Sequence, residues 1–231
     1  LDLEGSLFLY HDVCTNGIGY LDLLFEFGTL TREETHYLGL LKSVLGYVDT
    51  EHYTYGEQFN EINANTGGIY SGVEVFDNEN AQDGFRAMFS VRGKALYPKM
   101  NFLFDMVREI LETSKLEDTG RLYEIVAQVK SRAQANLASA GHSTAVLRGA
   151  SYASPMAASQ DEMAGVGYYH FIEKLEKEFE ERKEELVSSL KKLMKRILRP
   201  EYFHVSYTGE RESLENVKVL CKDLKKHLCT E

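Results

Sequence analysis

Cysteine is scarce in this chain and forms no pattern. Cys14, Cys221 and Cys229 are an odd number without C-x-x-C spacing, a usage that argues against a disulfide scaffold and suits a reducing compartment. Cations are in deficit. The 26 Lys plus Arg face 36 Asp plus Glu, and the net charge of −10 repels phosphate backbones over most of the surface, so nucleic acid is not an expected partner. No apolar run approaches the roughly 20 residues that a membrane span needs, and Leu7-Phe8-Leu9 is too short for a signal peptide and lacks its basic flank. A membrane is therefore not an expected partner either, and the expected compartment is the cytoplasm, or an organellar matrix in a eukaryote. With no Pro- or Gly-rich linker to divide the 231 residues, one domain over residues 1–231 is expected. The first residue is Leu1 rather than Met. That points to an excerpt of something longer, with room for targeting signals outside it.

Motifs for metal or acid–base chemistry are also missing. None of the seven histidines begins H-x-x-E-H or H-E-x-x-H, the spacings that set two imidazoles and a carboxylate on one helix face around zinc. His170 with Glu173 comes nearest, but Lys174 follows. His11 shares its spacing with no other ligand type and reads as a sheet histidine. His142 and Ser143 are adjacent, so their side chains diverge, and a helix-capping role suits them better than a nucleophile and base. Asp77, Asn78, Glu79 and Asp83 lack the register and terminal Glu of a calcium loop and read as a solvated connection. Paired carboxylates for general acid–base work are not evident. No catalytic residue, no metal ligand and no substrate-binding residue is assigned in this chain.

What is present is a folding pattern with 14 Tyr, 12 Phe and 43% hydrophobic residues, ample for a core. Leu7, Leu9 and Val13 alternate with Phe8, Tyr10 and Asp12 in a first strand. The turn at Thr15 to Gly17 leads to a second, with Leu21, Leu23, Phe25 and Phe27 on one face and Tyr20, Asp22 and Glu26 on the other. A hairpin of these two is the simple expectation. Thr31 with Glu34 forms a capping box for a helix carrying Tyr37, Leu38, Leu41, Val44 and Leu45, stopped by Gly46. Thr54 with Glu57 opens a shorter helix that ends at Gly67-Gly68.

Ile69, Val73 and Val75, then Phe85, Ala87, Phe89 and Val91, make a second hairpin, with Arg86, Met88 and Arg92 on its solvent side. Helices follow from Pro98, after Gly120 and from Ser154-Pro155. In the second of these, Ala133, Ala135, Ala138 and Ala140 are small enough to allow close approach of a neighbour. Tyr168 to Leu198 reads as one long helix with a stripe suited to domain packing rather than a coiled-coil dimer. Its pairs Glu173–Lys177 and Glu178–Arg182 are each worth about 0.3 to 0.5 kcal/mol. Phe203, Val205 and Tyr207 form a last strand, and Leu214 to Leu228 a closing helix in which Cys221 and Cys229 are buried thiols. About five strands with helices segregated between them give an α+β two-layer sandwich of a mainly antiparallel sheet and helices.

Certain of these stretches carry a resemblance. Thr15-Asn16-Gly17-Ile18 with Tyr20 to Phe25, then Thr66-Gly67-Gly68, then Gly141-His142-Ser143, resemble the third, noncatalytic domain of the insulinase-type zinc metallopeptidases, in their presequence protease branch. The resemblance implies a four-domain enzyme whose halves close around an unfolded peptide, with zinc bound by H-x-x-E-H in the first domain. In this chain the matching helix has Tyr37, Leu40 and Leu41 at those positions, and a register starting at His36 meets Gly39 and Leu40. The implied role is therefore enclosure. Zinc belongs to a domain not in this chain, the implied partners are sister domains of the same polypeptide and the unfolded peptide substrate, and the chain alone is expected to be inactive. A standalone peptide-binding or scaffold module of the same fold is the alternative.

Overall fold

The computed structural model describes residues 2–77 and 84–228. The chain begins with strands β1 (Asp2–Leu3), β2 (Ser6–Asp12) and β3 (Ile18–Glu26), helices α1 (Arg32–Val44) and α2 (Tyr55–Asn65), and strands β4 (Ile69–Asp77) and β5 (Phe85–Leu96). Six helices follow: α3 (Met100–Thr113), α4 (Thr119–Ser139), α5 (Gly141–Ala150), α6 (Pro155–Ala164), α7 (Val166–Lys177) and α8 (Phe179–Ile197). Strand β6 (Phe203–Gly209) and helix α9 (Arg211–Lys226) complete the order. The six strands form one sheet in the order β1-β2-β6-β3-β5-β4. Only β2 and β6 run parallel, so the architecture is the expected α+β sandwich of a mainly antiparallel sheet and helices.

The core follows from alternation. Leu21, Leu23, Phe25 and Phe27 are buried on one side of β3, and Phe89 with Val91 of β5 and Phe203, Val205 and Tyr207 of β6 share that side. The helices supply the other half, with Leu38, Leu40 and Leu41 of α1, Leu103 to Leu111 of α3, and Leu186, Leu190 and Leu193 of α8. Both predicted capping boxes form. Thr31 Oγ1 accepts from Glu34 N at 3.2 Å while Thr31 N donates to Glu34 Oε2 at 2.8 Å, and Thr54 and Glu57 repeat the exchange at 3.3 and 2.9 Å. Gly46 takes φ +86, the left-handed stop that its position requires.

Several expectations fail, each for a nonlocal reason. β2 and β3 are not a hairpin partnership, because β6 inserts between them, parallel to β2 and antiparallel to β3. It does so because its Phe203, Val205 and Tyr207 need cover that only the middle of the sheet provides. The single helix over 168–198 is two, interrupted at Glu178 (φ −103, ψ 22). The break lets α7 pack on α4 and α6 while α8 turns to α1. It also alters the charge pairs. Glu173–Lys177 is present at 3.6 Å, but Arg182 pairs with Glu185 at 3.2 Å instead of with Glu178. Ala135 and Ala138 are exposed, so no neighbour approaches them. Pro98 sits in a short 3-10 turn, Tyr97–Lys99, just ahead of α3.

A pH-dependent staple ties the loop after α1 to α3. His52 donates its backbone N–H to Glu109 Oε1 at 2.9 Å and places Nδ1 3.0 Å from Oε2. Burial pushes the Glu109 carboxyl up, but the hydrogen bonds from His52, Thr50 and Thr113 outweigh it and bring the carboxyl from 4.5 down to about 2. His52 is raised above 6.5 by its hydrogen bond to Glu109. The Glu109 contribution is complete above the unfolded value of 4.5 and is lost as pH falls toward 2. The His52 contribution is complete below its unfolded value of 6.5 and is lost as pH rises through its folded value. Glu109→Gln should therefore lower the melting temperature most between pH 4.5 and 6.5, with the gap from wild type narrowing on both sides. A gap that stays constant from pH 3 to 9 would show the pair to be inert.

Candidate functional site

Helix α1 occupies the place where the resemblance would put zinc chemistry, and its side chains decide the matter. Tyr37, Leu40 and Leu41 are all buried in the core. Tyr37 donates its hydroxyl to Glu185 Oε1 at 3.1 Å and accepts from Arg182 at 3.2 Å, and burial raises it above the ordinary tyrosine value. Two leucines and a hydrogen-bonded tyrosine offer no ligand set for zinc. Among the described residues, no group of three or more His, Cys, Asp or Glu side chains could hold a metal ion. None of the described helices is long and apolar enough to cross a membrane.

Beside α1, a cavity of about 770 Å³ opens between the C-terminal end of β3, the first turn of α1 and the α5–α6 pair. Its floor is apolar, with buried Phe27, Leu38 and Met163. Three arginine–carboxylate pairs line it: Arg32–Glu162 at 2.8 Å, Arg148–Asp161 at 2.7 Å and Arg86–Glu26 at 3.4 Å. Tyr152 stands at the cavity 78% exposed, with the Arg148 guanidinium 5.3 Å from its ring centre. His36 is committed to Glu162 and stacks on Phe171 with ring centres 4.6 Å apart. Every ionised group here already has a partner, so the arrangement can receive an amphipathic segment but offers no free base or nucleophile.

Asp161 holds this corner together. Its side chain is 1% exposed, and its oxygens accept from Val166 N at 3.0 Å and Gly167 N at 3.1 Å besides the Arg148 bond. Gly165, the residue before α7, gives no side-chain cap, so Asp161 serves the first donors of that helix from within α6. The α1–α6 contact is close at Gly39, where a Cβ would lie 2.7 Å from the Met163 carbonyl oxygen and 2.8 Å from the Tyr168 ring.

Sequence reasoning did not single out Asp161, Glu162 or Arg148. The available signal was the Gly165 to Gly167 break a few residues downstream. His11 is a sheet residue as expected, in β2 opposite Thr208 of β6, and its side chain is exposed. His142 and Ser143 are exposed, and α5 has no side-chain cap at its start, so neither residue caps a helix. Arg86 and Arg92 are on the solvent face of β5 as expected, Arg92 bridging Asp22 at 3.2 Å and Glu74 at 3.1 Å. Cys221 is a buried thiol raised by burial. The Asn78 to Asp83 loop and Cys229 lie outside the described residues.

A mixed sheet covered by helices, with core residues filling the helix to which the resemblance assigns zinc ligands, defines a domain of the kind associated with peptidases. More particularly, residues 2–175 match the model of the peptidase-associated family of M16 subfamily C, and the chain belongs to that family. Protein HypA of Clostridium perfringens is 32% identical over 223 residues, 96% of this chain and 23% of HypA. Presequence protease 1 of Arabidopsis thaliana, named as chloroplastic/mitochondrial, is 28% identical over 94% of this chain and 20% of its own length. The presequence protease of Yarrowia lipolytica, named as mitochondrial, is 26% identical over 90% of this chain and 21% of its own. Among solved structures, a peptidase M16 inactive domain from Pseudomonas fluorescens superposes with a TM-score of 0.65 over 100% of this chain and 50% of that one. At 11% identity it bears on the fold alone. The chain spans about a fifth of the length of the curated relatives it matches.

Proposed function

We propose that this chain is one wall of an enclosing chamber in a larger zinc metalloendopeptidase that degrades unfolded peptides. The observation that carries the reading is the core-filled helix, Tyr37, Leu40 and Leu41, in a chain that covers only a fifth of relatives named as presequence proteases. A wall of this kind limits entry to unfolded chains and excludes water on closure, while zinc would sit on another domain of the same polypeptide. Exposed apolar groups support packing against sister domains: Val146 is 72% and Tyr152 78% exposed on and beside α5. One domain over 1–231 remains our reading of the boundaries. A reducing compartment, the cytoplasm or an organellar matrix, suits the unpaired thiols of Cys14 and Cys221.

Cleavage of an unfolded fluorogenic peptide in the presence of zinc tests this. We expect no turnover by the chain alone, and chelator-sensitive turnover by the longer polypeptide that contains it. Chelator-sensitive turnover by the isolated chain would overturn the proposal. The second reading, a standalone peptide-binding module, predicts a parent reading frame without H-x-x-E-H, whereas the chamber reading requires that motif upstream.

A further inference from the structure

The second half of α4 and the whole of α5 are poorly covered by the rest of the fold. Helix α4 places all four of its buried residues, Leu122, Ile125, Val126 and Val129, in its first half. Past the Lys130–Glu176 pair at 2.5 Å, no residue of α4 or α5 is buried. An isolated helix shorter than about 12 residues is marginal in water, and most helices in proteins are held by an apolar face packed on a neighbour. α5 is that short, has no buried face, and carries Gly141, Ser143, Thr144, Val146 and Gly149, all weaker helix formers than alanine or leucine. Among the described residues, one side-chain hydrogen bond leaves α5 for another element, from Arg148 to Asp161 of α6 at 2.7 Å. That bond fixes the last turn and leaves the outer face uncovered.

Charge sets the same stretch apart. No Asp or Glu occurs between Glu124 and Asp161, although the chain has 36 of them among 231 residues and a net charge of −10. The exposed side chains here are small or apolar, among them Ala135, Ala138, Ala145, Val146, Ala150 and Tyr152. Depletion of charge beside an exposed aromatic is the composition of an interface core rather than of a solvated face. Helices use their backbone N–H and C=O groups on their own ladder, so an extended peptide finds no strand edge here to pair with. The surface suits a folded neighbour. A second copy is a poor one, because two chains of net charge −10 repel each other.

We propose, resting on the chamber-wall reading above for the identity of the partner, that a sister domain of the same polypeptide packs an apolar face on residues 131–152 and that the helical order of α5 depends on this contact. The partner covers Ala138 on the α4 side and Val146 on the α5 side. Without it, Arg148 on Asp161 is the one side-chain hydrogen bond, among the described residues, that ties α5 to another element.

Hydrogen–deuterium exchange, compared between this chain alone and the longer polypeptide that contains it, tests the contact. In the chain alone, α5 should be the least protected of the described helices at every protein concentration, while β3 and β5 stay protected. In the longer polypeptide the α5 amides should exchange at least about tenfold more slowly. Val146→Glu, at an exposed position, should leave the melting temperature of the chain alone unchanged and abolish that added protection in the longer polypeptide. Ala138→Glu should do the same from the α4 side. Equal exchange of α5 in the two proteins, or added protection that survives both substitutions, would overturn the contact. Protection of the chain alone that rises with its concentration would also overturn it, by making a second copy the partner. Chelator-sensitive peptide cleavage by the longer polypeptide reports on the chamber reading separately. Cleavage with α5 unprotected would sink the docking contact alone, and protection of α5 without cleavage would sink the chamber reading alone.

Discussion

Leu40→Glu should unfold this chain at neutral pH, although it supplies an acidic residue at the position where the H-x-x-E-H motif implied by the sequence resemblance has one. Leu40 is 0% exposed among Tyr37, Leu38 and Leu41. A carboxyl there has no cation within the core to pair with, so it stays protonated well above its usual range. Holding it neutral at pH 7 costs about 4 kcal/mol, before the loss of leucine packing is added, and the stability of a domain is only about 5 to 15 kcal/mol. The sign with pH follows. The folded value lies above the unfolded one, so the penalty is absent below the unfolded value and grows as pH rises through it. Thermal melts of Leu40→Glu should therefore show a cooperative transition near pH 4 that is lost or sharply lowered near pH 7, relative to wild type at each pH. Leu40→Met, which keeps the volume, should cost less than about 1.5 kcal/mol. The triple replacement of Tyr37, Leu40 and Leu41 by His, Glu and His should bind no stoichiometric zinc. A folded, zinc-loaded triple variant would show that this helix can turn its motif face out of the core.

Asp161→Ala should be the next most damaging change away from the aliphatic core. It deletes the acceptor for Val166 N, Gly167 N and Arg148 at once, from a position 1% exposed. Arg148 keeps part of its hydration, with its side chain 39% exposed, so the loss is smaller than for a fully buried pair. About 3 kcal/mol is expected, which for a domain of this size lowers Tm by roughly 6 to 12 °C. Asp161→Asn retains acceptor capacity for the helix donors and should cost about half as much. The damage should be local as well as global. Amide exchange in the first turn of α7 and in α5 should rise more than in the β3–β5 core. Wild-type melting of Asp161→Ala would mean that the first donors of α7 are satisfied by other groups.

Local chemistry was readable at the starts of α1 and α2, where the capping partners are close in sequence. Thr31–Glu34 and Thr54–Glu57 are three residues apart, and both boxes form as read. The alternation of Leu21, Leu23, Phe25 and Phe27 named the buried side of β3 without error. The break at Glu178 was not readable, because the apolar stripe runs through it and only the different neighbours of α7 and α8 require it.

What the sequence determined by itself was the alternation of buried positions in β3, the starts of α1 and α2, the α+β class and the absence of a zinc motif on α1, since each depends on residues within a turn or two of one another. Only the tertiary structure decided that β6 enters between β2 and β3 from nearly 200 residues away and that Asp161 caps α7 from α6. Side-chain periodicity reports which face is buried, but not which distant element covers it. The pairing of a charge is set by that covering element.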